Sequence, residues 1–209
     1  MLNYNAVFPV ALEILGMLMR IPELDKFYLV GGAALSLQTG KRISFDIDLF
    51  SENSFNNQYM LSVLQDKFPL KVIDIKENTL NLMIKDCKTD IITYKYPLLR
   101  PIIYENGLRI ISVEDISAMK LAAIGNRGSK KDFFDIYFIL QKYSIEQILS
   151  FFKEKFNTTQ TYFIIRSMTY FEDAEKDPNP ILIETVSWTE VKNFFLKLLR
   201  SEDQKAHIV

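Results

Sequence analysis

Two carboxylates two residues apart, Asp46 and Asp48 in the run Phe45-Asp46-Ile47-Asp48-Leu49-Phe50, are the groups best able to do chemistry in this chain. Side chains on a strand alternate between faces, so both carboxylates point one way while Phe45, Ile47 and Leu49 point the other way, towards a core. At about 4 Å two like charges repel by roughly 4 kcal/mol at an effective dielectric of about 20. The pair therefore requires a cation or a raised pKa, and a hard divalent ion on oxygen ligands, Mg²⁺ or Mn²⁺, meets that need best.

The elements that must position the pair lie just upstream. Phe27-Tyr28-Leu29-Val30 reads as a short strand, Gly31-Gly32 as a turn, Ala33-Ala34-Leu35-Ser36-Leu37 as a helix, and the Asp-bearing run as a second strand. The Gly pair can turn sharply and present backbone N–H groups near a helix N-terminus, where anions are favoured. Phosphates at the turn and a metal at the Asp pair would be neighbours. Taken alone, each piece reads as an ordinary turn or a solvated strand end, and only their joint order and spacing is specific.

A third carboxylate, Asp90, sits in the strand-like run Lys88-Thr89-Asp90-Ile91-Ile92-Thr93-Tyr94 and shares a face with Ile92. A strand Asp is ordinarily a solvated edge residue, but beside Asp46 and Asp48 it becomes a candidate for the same site.

At this point the chain resembles a known family. Gly31-Gly32, a short helix, Arg42 and then Asp46-Ile47-Asp48-Leu49-Phe50 resemble the signature of the nucleotidyltransferase AbiEii/AbiGii toxin family, a branch of the DNA polymerase β-like nucleotidyltransferase superfamily. Further on, that family carries a Lys on one helix, then an Arg, then Asp-x-x-Asp on the next helix. Lys120, Arg127 and Asp132-Phe133-Phe134-Asp135 stand in those places, so the resemblance covers about residues 27–140. It departs from the wider superfamily at Gly32, where many members place Ser.

The resemblance implies transfer of a nucleoside monophosphate from an NTP to an acceptor, with release of pyrophosphate. Asp46 and Asp48 would hold one or two Mg²⁺ (or Mn²⁺) ions, and Asp90 would complete the site and help activate the attacking hydroxyl. Gly31, Gly32, Arg42, Lys120 and Arg127 would bind the nucleotide, while Asp132 and Asp135 would orient Lys120. Members act as toxins of toxin–antitoxin pairs and some modify the acceptor end of tRNA, so the expected partners are an NTP, an RNA such as tRNA and a cognate antitoxin. The same chemistry on a small molecule or protein side chain, or a non-catalytic partner-binding role, are the rival readings. Read without the family, Asp132 is equally a helix cap, Asp135 an ion-pair partner and Lys120 a snorkelling surface residue.

Composition narrows the field. The 209 residues are 48% apolar and 24% charged with a net charge of −1, which suits a folded chain and offers no global basic field for nucleic acid. One cysteine, Cys87, and one histidine, His207, exclude an internal disulfide, a zinc cluster and a histidine general base in mid-chain. The N-terminus has no leader pattern and no run reaches about 18 apolar residues, so a cytoplasmic protein with no membrane segment is expected.

The expected fold is α/β (α+β): a polymerase β-like nucleotidyltransferase domain with a small mixed sheet over 1–108 and a helical C-terminal domain over 109–209. Residues 6–20 carry a helical apolar stripe, and Ser54 offers a cap for a helix through Lys67. Leu70–Ile75, Thr79–Ile84 and Lys88–Tyr94 read as an antiparallel meander, and 95–109, with Pro97, Pro101 and Gly107, as a connector. Ser112 caps a helix carrying Lys120; a basic loop, Arg127-Gly128-Ser129-Lys130-Lys131, leads to the next helix; Ser144 and Ser187-Trp188-Thr189-Glu190 cap later ones. The stripe Tyr162, Phe163, Tyr170, Phe171 reads as core packing ahead of base stacking.

Overall fold

Asp48 and Asp90 belong to a seven-stranded mixed sheet that forms the heart of the first of two compact units, Met1–Ile116; the second unit begins at Ser117. The computed structural model describes residues 1–206, so His207 lies outside the described residues. Among the described residues no helix is long and apolar enough to cross a membrane.

The first unit runs α1 (Pro9–Leu18), β1 (Tyr28–Val30), α2 (Gly31–Thr39), β2 (Ile47–Ser51), α3 (Asn57–Gln65), β3 (Leu70–Lys76), β4 (Thr79–Ile84), β5 (Cys87–Thr93), β6 (Ile103–Glu105) and β7 (Leu108–Ile110). Helix α4 (Val113–Asn126) follows, and the division between the units falls in its first turn. The strand order is β3-β4-β5-β2-β1-β7-β6. The expected meander is present, with β4 antiparallel to both β3 and β5. Central strand β2 is antiparallel to β1 and parallel to β5.

Period-two burial fixes which face carries the acids. Ile47 and Leu49 of β2 pair in register with Thr89 and Ile91 of β5, and these with Leu82 and Leu80 of β4, and all six are buried. This is the apolar face, and the residues between them, Asp48 and Asp90, fall on the other. Phe45, expected to join the core, precedes the strand. It is 41% exposed, with its ring 5.1 Å from that of Phe8.

Several local expectations hold. Ser112 Oγ accepts from the Asp115 N–H at 3.0 Å, and Ser144 and Ser187 form capping boxes with Gln147 and Glu190. Others shift. The α3 cap is Asn56, whose side chain accepts from the Tyr59 N–H at 2.9 Å, in place of Ser54. Residues 95–109 are more than a connector: β6 and β7 form a hairpin closed by Asn106-Gly107, both at positive φ (50° and 77°) as a two-residue primed turn requires. Because Ile110 of β7 pairs in parallel with Leu29 of β1, this hairpin is part of the sheet.

The second unit is helical: the remainder of α4, then α5 (Lys130–Ile139), α6 (Ile145–Phe156), α7 (Tyr162–Ser167), α8 (Glu172–Glu175) and α9 (Trp188–Ala206). Its core gathers Phe133, Phe134, Phe171, Trp188 and Phe195, with Phe133 centroids 5.2 Å from Phe171 and 5.7 Å from Trp188 and Phe195. The aromatic stripe does not join it as expected. Helix α7 spans six residues and buries Ile164, with Met168 buried just past its end; Tyr162, Phe163 and Tyr170 stand 75%, 65% and 52% exposed. Only Phe171 of the four packs in the core.

Candidate active site

Val30 of β1 pairs with Asp48 of β2, and Asp48 pairs in turn with Asp90 of β5, which pairs with Asn81 of β4. The two carboxylates are thus direct cross-strand neighbours on one face. Asp46 precedes Asp48 by one strand period and is half-buried. Asn81 in this row was not anticipated, since register across separate strands is not written in any one of them.

The glycine turn is pressed onto the same row. Gly31 adopts a left-handed backbone (φ 65°), and a Cβ placed on it would collide with the Asp48 carboxylate. Gly31 opens α2, whose first turn has no side-chain cap, so its N–H groups are presented beside Asp48. Gly32 is less constrained: a Cβ there would lie 2.5 Å from Arg42 Nη2, the far end of a flexible side chain, and 3.2 Å from Ser44 Oγ. Arg42 is 6% exposed, so its guanidinium takes the space that a Ser at position 32 would need.

Asp90 is 8% exposed; its Oδ2 accepts from Lys88 Nζ at 2.8 Å, and its Oδ1 is buried without a hydrogen-bond partner among the described residues. Leaving a buried carboxylate oxygen unpaired costs about 1–3 kcal/mol or more, so it marks a place for a missing partner. Burial pulls the Lys88 ammonium pKa down, but the hydrogen bond to Asp90 and the fields of Asp90, Asp48 and Asp46 outweigh it and raise it. Lys88 therefore reports that all three carboxylates act on one region. It could have been found in the sequence, because Lys88 and Asp90 are two apart on a strand and share a face.

Among the described residues no three His, Cys, Asp or Glu side chains already converge as a metal cage. The donor set nevertheless fits a hard divalent ion: the donors are oxygens, two of them in register, and the buried Asp90 Oδ1 lacks a partner. The one thiol nearby is not a rival nucleophile. Burial, and then the fields of Asp46 and Asp48, push Cys87 up to about 11.

In the second unit Lys120, Asp132 and Asp135 are brought together. The Lys120 ammonium lies 2.8 Å from Asp132 Oδ1 and 2.6 Å from Asp135 Oδ2, with all three side chains nearly buried. Asp132 and Asp135 are one turn apart on α5, which aims both at Lys120 on α4. Asp132 Oδ2 also accepts from the Ser129 hydroxyl, and Arg127, its side chain 67% exposed, lies 3.7 Å from the same oxygen. Burial alone would raise the Asp132 pKa; the Lys120 ammonium and the Ser129 hydroxyl hold it below the usual carboxylate range. Ser129, not Asp132, is the N-cap position of α5.

The family described as nucleotidyl transferase AbiEii toxin of type IV toxin–antitoxin systems matches residues 88–206, more than half of the chain. The chain belongs to the AbiEii nucleotidyltransferase toxin family. An uncharacterised protein of Aquifex aeolicus is 32% identical over 185 residues, covering 84% of this chain and 87% of its own. Two solved structures share the fold. JHP933 from Helicobacter pylori has a TM-score of 0.54 at 19% identity, covering 96% of this chain and 97% of its own. MenT4, a nucleotidyltransferase toxin from Mycobacterium tuberculosis, has a TM-score of 0.58 at 14% identity, covering 91% and 83%. As an AbiEii-family protein the chain is a nucleotidyltransferase. The AbiEii match takes in Asp90, Lys120, Arg127, Asp132 and Asp135, whereas Asp46, Asp48 and the glycine turn lie upstream of it and rest on their own geometry.

Proposed function

We propose that this AbiEii-family chain transfers a nucleoside monophosphate from an NTP to an RNA acceptor such as tRNA, as the toxin of a toxin–antitoxin pair in the cytoplasm. The observation that carries the reading is the direct pairing of Asp48 with Asp90 beneath the Gly31 turn. Asp46, Asp48 and Asp90 would hold one or two Mg²⁺ (or Mn²⁺) ions. Ions bound there supply positive charge to the triphosphate and to the attacking and leaving oxygens.

The chain's own residues set the geometry. The N–H groups at Gly31 and Gly32 receive phosphate oxygens at the start of α2, and the Arg42 guanidinium adds a cation beside them. Asp90, with one oxygen tied to Lys88, orients the acceptor hydroxyl through the other. Asp132 and Asp135 fix the Lys120 ammonium for the nucleotide phosphates, with Arg127 as a second, exposed cation. An antitoxin protein is the expected regulatory partner.

The test is label transfer from α-³²P NTPs, each offered separately with Mg²⁺, to total bacterial RNA and to protein. Label on RNA that disappears in Asp46→Ala and Asp48→Ala supports the reading. Label on protein moves the acceptor to a side chain, and no transfer with no metal-dependent NTP binding sinks it.

A further inference from the structure

Helix α7 leaves two large rings mostly in water. Tyr162 and Phe163 are 75% and 65% exposed, while Ile164 and Met168 anchor the segment from its other side. Exposed apolar groups on this scale, rimmed by polar residues, mark contact surfaces.

A glycine fixes where these rings stand. A Cβ on Gly125, near the end of α4, would lie 2.6 Å from Ile164 Cδ1 and 3.4 Å from Phe163 Cε1. The bare backbone there lets α7 settle directly on the end of α4, two residues before Arg127. The Phe163 ring is therefore beside the basic loop.

The charge around the rings has one sign. Residues 125–131 and 157–171 contain Arg127, Lys130, Lys131 and Arg166 and no Asp or Glu. Lys130 is committed elsewhere, its N–H and ammonium donating to the Asp177 side chain and backbone carbonyl. Arg127, Lys131 and Arg166 are exposed, and Arg166 is one turn from Tyr162 on the same face of α7. Tyr170 stands apart, because its hydroxyl donates to Glu172 at 2.9 Å, where the surface turns acidic.

Flat rings among cations suit a polyanion whose bases are unpaired, since every unpaired base offers a face for stacking while a duplex keeps its base faces stacked inside. We propose that Tyr162 and Phe163, with Arg127, Lys131 and Arg166, form a docking surface for an unpaired stretch of RNA. The proposal rests on the reading of RNA as acceptor and names the surface that would hold it.

Fluorescence anisotropy of the full chain with a short unstructured labelled RNA and with a duplex of equal length tests it. The single strand binds more tightly. Tyr162→Ala and Phe163→Ala each weaken it roughly 5- to 100-fold, the scale of one lost stacked base, with melting temperature unchanged. Phe163→Trp restores binding, and Arg166→Ala lowers the slope of log affinity against log salt by about 0.7, the scale for one single-strand phosphate contact. Unchanged affinity in the aromatic variants, preference for the duplex, or no binding by the wild type overturns the proposal. So does loss of self-association with RNA affinity intact, which would make the face a contact between copies. Label transfer keeps the two readings apart: wild-type labelling of RNA with an unchanged RNA KM in Phe163→Ala removes the surface and leaves the acceptor, and RNA binding here with label on another acceptor does the reverse.

Discussion

Gly31 lies against the Asp48 carboxylate with no room for a side chain between them. The glycine turn and the acidic row are therefore one packed unit, and a change to either is felt by the other.

Gly31→Ala combines a left-handed backbone cost of about 1–2 kcal/mol with displacement of Asp48. A fall in Tm of roughly 2–8 °C is expected, with loss of nucleotide transfer. Gly32→Ser is expected to be milder in stability, because the obstacle is the end of the Arg42 side chain. A Gly31→Ala protein with wild-type melting and wild-type transfer would contradict this packing.

Asp48→Asn and Asp90→Asn separate metal binding from folding. Each removes a negative charge from a crowded row, so neither is expected to lower the Tm of the metal-free protein by much, while both are expected to abolish the rise in Tm expected of the wild type with Mn²⁺. Differential scanning fluorimetry with and without Mn²⁺ reads this directly. Persistence of the full Mn²⁺ shift in both variants would place the ion elsewhere.

The Lys88 ammonium on Asp90 Oδ2 opposes a metal ion brought to the neighbouring Oδ1. In Lys88→Met the Mn²⁺ concentration at half-maximal Tm shift is expected to fall, together with the metal-free Tm, since Asp90 loses the ammonium it is paired with. An unchanged Mn²⁺ midpoint would show that the ammonium and the ion do not compete.

Lys120 is balanced by two buried carboxylates, and removing it takes a counter-charge from both. Lys120→Met is expected to cost about 3–5 kcal/mol, measured by urea unfolding. Adding Asp132→Asn to Lys120→Met recovers part of that loss, giving a non-additive double-mutant cycle. Additive losses would mean the pair is not coupled.

Acid lowers stability through the same cluster. The Asp132 pKa is depressed in the folded state, so below the unfolded value of about 3.9 the unfolded chain binds the extra proton. Its contribution is thus complete above about pH 4 and disappears as pH falls through the folded value. Asp132→Asn flattens the unfolding free energy over that acid window, and an identical slope in the variant would argue against the shift.

Much of the site was legible because strands repeat every two residues and helices every three to four. Asp46, expected on the strand with Asp48, precedes β2, but the strand around Asp90 and the one-turn spacing of Asp132 and Asp135 follow from those periods alone. The pairing of Asp48 with Asp90 does not, since register is settled between strands by packing of Ile47 and Leu49 against Thr89 and Ile91. Asn106-Gly107 carried a hairpin signal that the prolines around it obscured. Tyr162 and Phe163 looked like core because an aromatic stripe on a long helix is core, but α7 ends after six residues and spends its buried face on Ile164.

Parallel pairing of β2 with β5 also dictates when the site can exist. Parallel neighbours need a long crossover, and here it is the whole of α3, β3 and β4. A chain emerging from the ribosome carries Asp46 and Asp48 well before Asp90 is made, and the acidic row closes only after β5 has docked. Translation itself then imposes a delay on catalytic competence. On the proposed reading, a product that stops short of residue 90 would lack one of the three carboxylates of the site.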